Sequence, residues 1–327
     1  MQPRQIARRI FSYGLLGVTL LLLVGVFVYR QNIQDWIRLR GYEPTPDIAK
    51  LADDTTMLSS SRRLFYVQNP LLADKTTFNN FCTQNNEHTI VLGCYISGQG
   101  IYLLDVTDER LAGVEQVTAA HELLHAAYER LSDKDRKWVD DILTSTYAGV
   151  TNERLRKTVE QYRKQDPSIV PNELHSILGS EMRTLPQELE DYYKRYFANR
   201  GQIVSFSEQY EQAFIERRNA IRDYDSQLTS IKTQIDDGQA RLFAEEDSLG
   251  AQRTNMNTLR NSGQIDAYNA LVPVYNQKVN AYNAGVEELE TLVARYNDIV
   301  QKRNDIATEE AELAKALDSR EVVPTQQ

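Results

Sequence analysis

The chain has 327 residues, 41% of them apolar and 25% charged, and a formal net charge of −9. That composition suits a folded chain with a sizeable core and excludes a polytopic membrane protein. The acidic balance excludes nucleic acid as a partner, because phosphate binding needs a basic surface.

In chain order, the first feature is Phe11 to Tyr29, a run without a charge. At 1.5 Å per residue such a run covers roughly the 30 Å hydrocarbon core, which predicts an N-terminal transmembrane helix. A cleaved signal peptide has a shorter apolar region and a small-residue cut site, whereas Tyr29-Arg30-Gln31 follows here. The expectation is therefore a tail and anchor over 1–30. The bilayer would contact 11–29, in a single-pass membrane protein whose body lies outside the cytoplasm. Residues 31–56 read as a juxtamembrane linker, broken by Pro44 and Pro46.

Residues 57–200 read as one mixed domain. Ile90–Leu92, Cys94–Ile96 and Gly100–Val106 are β-branched and aromatic runs punctuated by glycine, which predicts two or three strands of a small sheet. Cys82 and Cys94 bracket the polar stretch Thr83–His88, a spacing that a disulfide could close; two unrelated buried thiols are the alternative. From Val114 the pattern turns helical. Two or three further helices are expected between Lys134 and Ala198, interrupted near Pro167–Pro171 and at Pro186.

Beyond Gly201 the character changes. Phe214, Ile221, Leu228, Ile235, Leu242 and Leu249 recur every seven residues, as do Val272, Val279, Val286, Val293 and Val300. Tyr268, Tyr275, Tyr282, Leu289 and Tyr296 accompany the second series, and the alternating offsets of four and three are a coiled-coil seam. Asn261-Ser262-Gly263 between the series is a turn signal. The region 201–320 thus reads as an antiparallel coiled-coil hairpin, followed by a tail over 321–327. The hairpin would offer a surface for a protein partner or for self-association. The fold class is α+β, mostly α: a transmembrane helix, a small domain with a short β-sheet, and the long hairpin.

The chemistry concentrates in His121-Glu122-Leu123-Leu124-His125. Histidines four apart share one helix face, so both imidazoles can reach one ion, and neutral imidazole nitrogen suits Zn2+. Glu122 lies about 100° round the helix, beside the metal, where it can act as general base. No other charge lies from Val117 through Tyr128, as expected of a helix buried beneath a sheet.

This H-E-x-x-H helix resembles the zincin metallopeptidases, which carry the signature on an active-site helix beneath a small sheet. The resemblance covers residues 57–200 and implies a zincin-like domain. The H-E-x-x-H-x-x-G-x-x-H extension is absent, which argues against the metzincin branch. Asn172-Glu173-x-x-Ser176 resembles part of the gluzincin second helix, in which the glutamate is the third ligand. Ile177 departs from that pattern, standing where thermolysin-like proteins have an aspartate that orients a histidine ligand. Glu173 is therefore the expected third ligand, with Glu181 and His175 as alternatives or as supporting groups. On a single helix Glu173 and Glu181 differ by about 80°, while His175 points about 200° from Glu173, so one helix presents a glutamate or the histidine. Tyr192, Tyr193 and Tyr196 are weaker candidates for an oxyanion donor. The implied activity is zinc-dependent hydrolysis of peptide bonds in a peptide or protein substrate. The alternative is an inactive zincin-like domain on a membrane-anchored coiled-coil scaffold, and an intact Glu122 counts against it.

Overall fold

The computed structural model describes residues 3–82 and 91–319, and for 3–15, 17 and 18 the backbone alone. The stretch Thr83–His88, Ile90 and the tail 321–327 lie outside the described residues. The chain is mostly helical, with one three-stranded sheet and a long helical hairpin. It divides into two units, Met1–Glu211 with Lys315–Gln327, and Gln212–Ala314.

The first unit begins with helix α1, Pro3–Leu39. Among the described residues no helix is long and apolar enough to cross a membrane, so the single-pass anchor and the membrane localisation expected from 11–29 are corrected. The last turns of α1 belong to the folded unit. Asp35 is buried in a two-bond ion pair with Arg130, both contacts 2.8 Å, and Arg38 donates to the carbonyls of Gly98 and Gln99.

Residues 31–56 also carry helix α2, Pro46–Asp54. Its Thr45 cap accepts from the Ile48 amide, and proline opens the helix where an amide would be unpaired anyway. Ile48, Leu51 and Ala52 enter the main core beside Phe65 of helix α3, Ser59–Val67. Strand β1, Leu71–Ala73, helix α4, Lys75–Cys82, and strands β2, Gly93–Ile96, and β3, Gly100–Leu104, follow. The sheet order is β1-β3-β2, with β1 parallel to β3 and β2 antiparallel. Among the described residues β2 is thus an edge strand, in register from Gly93 opposite Leu103 to Ile96 opposite Gly100.

Helix α5, Val114–Glu129, lies under this sheet. Its start needs glycine: Gly113 has φ +102°, and a Cβ there would stand 2.8 Å from the Phe206 carbonyl oxygen. Twelve of the sixteen residues of α5 are buried, so the helix is enclosed on nearly every side rather than along one stripe. Four helices follow, one more than the upper expectation: α6, Asp133–Ala148; α7, Glu153–Gln165; α8, Val170–Glu181; and α9, Gln187–Tyr193. The prolines punctuate them as expected, with Pro171 in the first turn of α8 and Pro186 capping α9. Helix α8 packs on α5 at Gly179, where a Cβ would come within 2.5 Å of Leu124 Cδ1.

The second unit consists of helix α10, Arg200–Asn261, from Gln212 onward, and helix α11, Ile265–Leu317, as far as Ala314. The turn between them uses Gly263 at φ +77°. The two run antiparallel. Arg217 pairs with Glu309 and Asp225 with Arg303, Gly238 meets Leu289, and Leu242 meets Gly285. Tyr268, Tyr275, Tyr282 and Tyr296 are half-buried, as seam residues should be; Val293 breaks its series, exposed at 39%.

Candidate metal centre

One turn of α5 separates His121 from His125, which places their Nε2 atoms 3.0 Å apart with the rings near perpendicular. The donor atoms of His121, Glu122 and His125 all lie within 4.8 Å of one another, so this group could hold a metal ion. Glu173 of α8 reaches the same point from the facing helix. Its Oε2 is 3.7 Å from His121 Nε2, and its Oε1 is 3.7 Å from His125 Nε2.

Two observations bear on whether a metal fits. Glu173 Oε2 is a buried oxygen without a hydrogen-bond donor, and a buried carboxylate oxygen is costly to leave unpaired. A tetrahedral ion with bonds of about 2.0–2.1 Å separates its ligand atoms by roughly 3.3–3.4 Å, inside the 3.0–3.7 Å spread of these three side chains. The donor set fits such an ion.

Neighbouring groups orient the donors. His125 Nδ1 lies 3.0 Å from Asn172 Oδ1. An amide oxygen only accepts, so Nδ1 carries the proton and Nε2 keeps its lone pair toward His121 and Glu173. Asn172 thereby supplies the orienting contact that Ile177 cannot. The Tyr162 hydroxyl of α7 donates to the Glu173 carboxylate. Glu122 is 5% exposed and lies against β2 at Gly93, where a Cβ would come within 2.8 Å of its Oε1.

The charges are coupled. Burial draws the His121 pKa down, but the Glu173 carboxylate 3.7 Å away and the charges of Glu122 and Glu181 outweigh it and leave the group at about 9. Burial lowers His125, with His121 adding to the effect against the pull of Glu173. Burial alone would raise Glu173, yet His125, His121 and Tyr162 together hold it below its ordinary value. The same charges favour an ionised Glu173 beside a protonated His121.

The other sequence candidates go elsewhere. Glu181 is in an ion pair with Arg154, which also holds Glu211. His175 is fully buried on the opposite side of α8, with Nε2 2.8 Å from the Tyr192 hydroxyl and the rings of Tyr128, Tyr193 and Tyr196 around it. Burial pushes this imidazole down to about 3, so it is neutral. Tyr192, Tyr193 and Tyr196 thus pack around His175. Cys82 and Cys94 are both buried and joined by a disulfide, Cα to Cα 5.9 Å, which ties α4 to β2.

Sequence reasoning missed three groups: Asn172, Tyr162 and Gly93. Asn172 had a signal, its place beside Glu173. Tyr162 and Gly93 had none, because only the tertiary fold brings α7 and β2 to this point. No family model, curated protein or solved structure matches the chain.

Proposed function

We propose that this protein is a zinc-dependent peptidase of zincin type, with His121, His125 and Glu173 holding the ion and Glu122 as general base. The observation that carries the reading is the convergence of three donor side chains at 3.0–3.7 Å beside a buried carboxylate, Glu122. Two imidazoles and one carboxylate are ordinary zinc ligands. Three protein ligands leave a position open, as catalytic sites do and structural sites do not. Asn172 behind His125 supports the reading, since ligating histidines need their second nitrogen fixed.

Zinc bound there would lower the pKa of the attacking water and polarise the scissile carbonyl. Glu122 takes a proton from that water as its oxygen adds to the carbonyl carbon. It then delivers the proton to the nitrogen as the C–N bond breaks. Tyr162 and Asn172 hold Glu173 and His125 in place throughout. An extended peptide suits the site because the outer edge of β2 has no strand paired to it among the described residues, leaving main-chain groups beside Glu122. The hairpin, read as a coiled coil, would supply a surface for a protein partner or a second copy of the chain.

Glu122→Gln tests the assignment. It should keep the metal and lose about 100- to 10,000-fold in hydrolysis of a peptide that the wild type cleaves. Equal activity would contradict the role given to Glu122.

A further inference from the structure

We infer that Gly93 is a positioning residue for Glu122: by carrying no side chain it lets β2 lie against the carboxylate and sets where that carboxylate points. This rests on the peptidase reading above. A Cβ at position 93 would stand 2.5 Å from Thr118 Cγ2, 2.8 Å from Glu122 Oε1 and 2.9 Å from Glu122 Cγ. Carbon contacts are comfortable near 3.5–4.0 Å, so no side chain fits while β2, Thr118 and Glu122 keep their places. Gly93 is not at positive φ, unlike Gly41, Gly98, Gly113 and Gly263. The glycine is therefore required for space, not for backbone conformation.

The surroundings decide which group would yield. β2 is held by its pairing to β3, by the Cys82–Cys94 disulfide, and by the Tyr95 and Ser97 hydroxyls bonded to Glu129 at the end of α5. Thr118 is buried, with its hydroxyl bonded to the Val114 carbonyl at 2.8 Å. Glu122 ends in a carboxylate reached through three rotatable bonds, so it is the group that moves. The three nearest atoms to the absent Cβ belong to Thr118 and Glu122, and none to His121, His125 or Glu173. A side chain at 93 would therefore displace the base and leave His121, His125 and Glu173 as they are.

The test uses full-length Gly93→Ala, Glu122→Gln, the double variant and wild type. We expect unchanged zinc per chain in Gly93→Ala, unchanged KM for a cleaved peptide, and kcat lower by about 100-fold, the cost of roughly 1 Å of misplacement. A crystal structure of Gly93→Ala should show the Glu122 carboxylate displaced and the metal donors in place. In the Glu122→Gln background the second substitution should cost nothing more, because its effect passes through Glu122. Should Gly93→Ala fold poorly, Gly93→Ala/Thr118→Ser removes the contact to Cγ2, keeps that to Glu122, and should show the same loss of kcat. Wild-type kcat in a folded variant, an unmoved carboxylate, or a further loss on top of Glu122→Gln would overturn the inference. A wild type that cleaves no peptide would instead defeat the peptidase reading, while the crystallographic displacement would still decide the role of Gly93.

Discussion

The two units use glycine in opposite ways, and the contrast separates a built site from a repeating frame. In the first unit, a Cβ at Gly93 or Gly179 would come within 2.5 Å of a neighbouring side chain. In the hairpin, a Cβ at Gly238 would meet Leu289 Cδ1 at 3.4 Å, an ordinary contact, and one at Gly285 would meet Leu242 Cδ2 at 3.0 Å. Around the candidate metal centre the elements approach so closely that single atoms decide what fits. Along the hairpin the packing comes from a seven-residue pattern in which many small adjustments are open.

The sharpest way to break this comparison is in the core of the first unit. Leu124→Ala on α5 should destabilise that unit by about 2–5 kcal/mol, with lost hydrogen-exchange protection in α5 and α8 and little change over 220–300. Equal losses in both units would mean they do not unfold separately. Gly179→Ala should cost the same unit about 1–3 kcal/mol through overpacking against Leu124 and Tyr193. A neutral result by urea titration would show that α8 can move away.

Protonation gives a further separation. Folded His175 takes up its proton only near pH 3, while the unfolded side chain does so near its ordinary 6.5. Falling pH therefore favours the unfolded state, and stability contributed by neutral His175 is lost from about pH 6.5 downward, by about 1.4 kcal/mol per unit. His175→Gln should flatten that slope for the first unit; an unchanged slope would assign it to other groups. The smallest effect has the opposite sign. Gly238→Ala should stabilise the hairpin by about 0.5–1 kcal/mol, because a helix-interior glycine gains on becoming alanine where space allows. Destabilisation there would show that the hairpin is packed as tightly as the site.

The same contrast explains what was legible in the sequence. The seven-residue series predicts the hairpin because helix spacing alone generates its contact face. His121, Glu122 and His125 are legible for the same local reason, since four residues make one turn. The third ligand could be narrowed to Glu173, Glu181 or His175, and helix angle separates the glutamates from the histidine, but the choice depended on how α8 meets α5. β1 was not legible, because three residues carry no period and pair only once β3 is beside them. The anchor expected over 11–29 rested on counting apolar residues, and no helix among the described residues meets that requirement.

On the proposed reading, α5 and α8 together build a zinc centre. The most direct test of that reading is zinc per chain in the purified full-length protein, by elemental mass spectrometry, for wild type, His121→Ala and Glu173→Gln. We predict near one equivalent in the wild type, and loss in both variants while α5 stays protected from exchange. A folded wild type that takes up no zinc on reconstitution, or variants that retain it fully, would contradict the account.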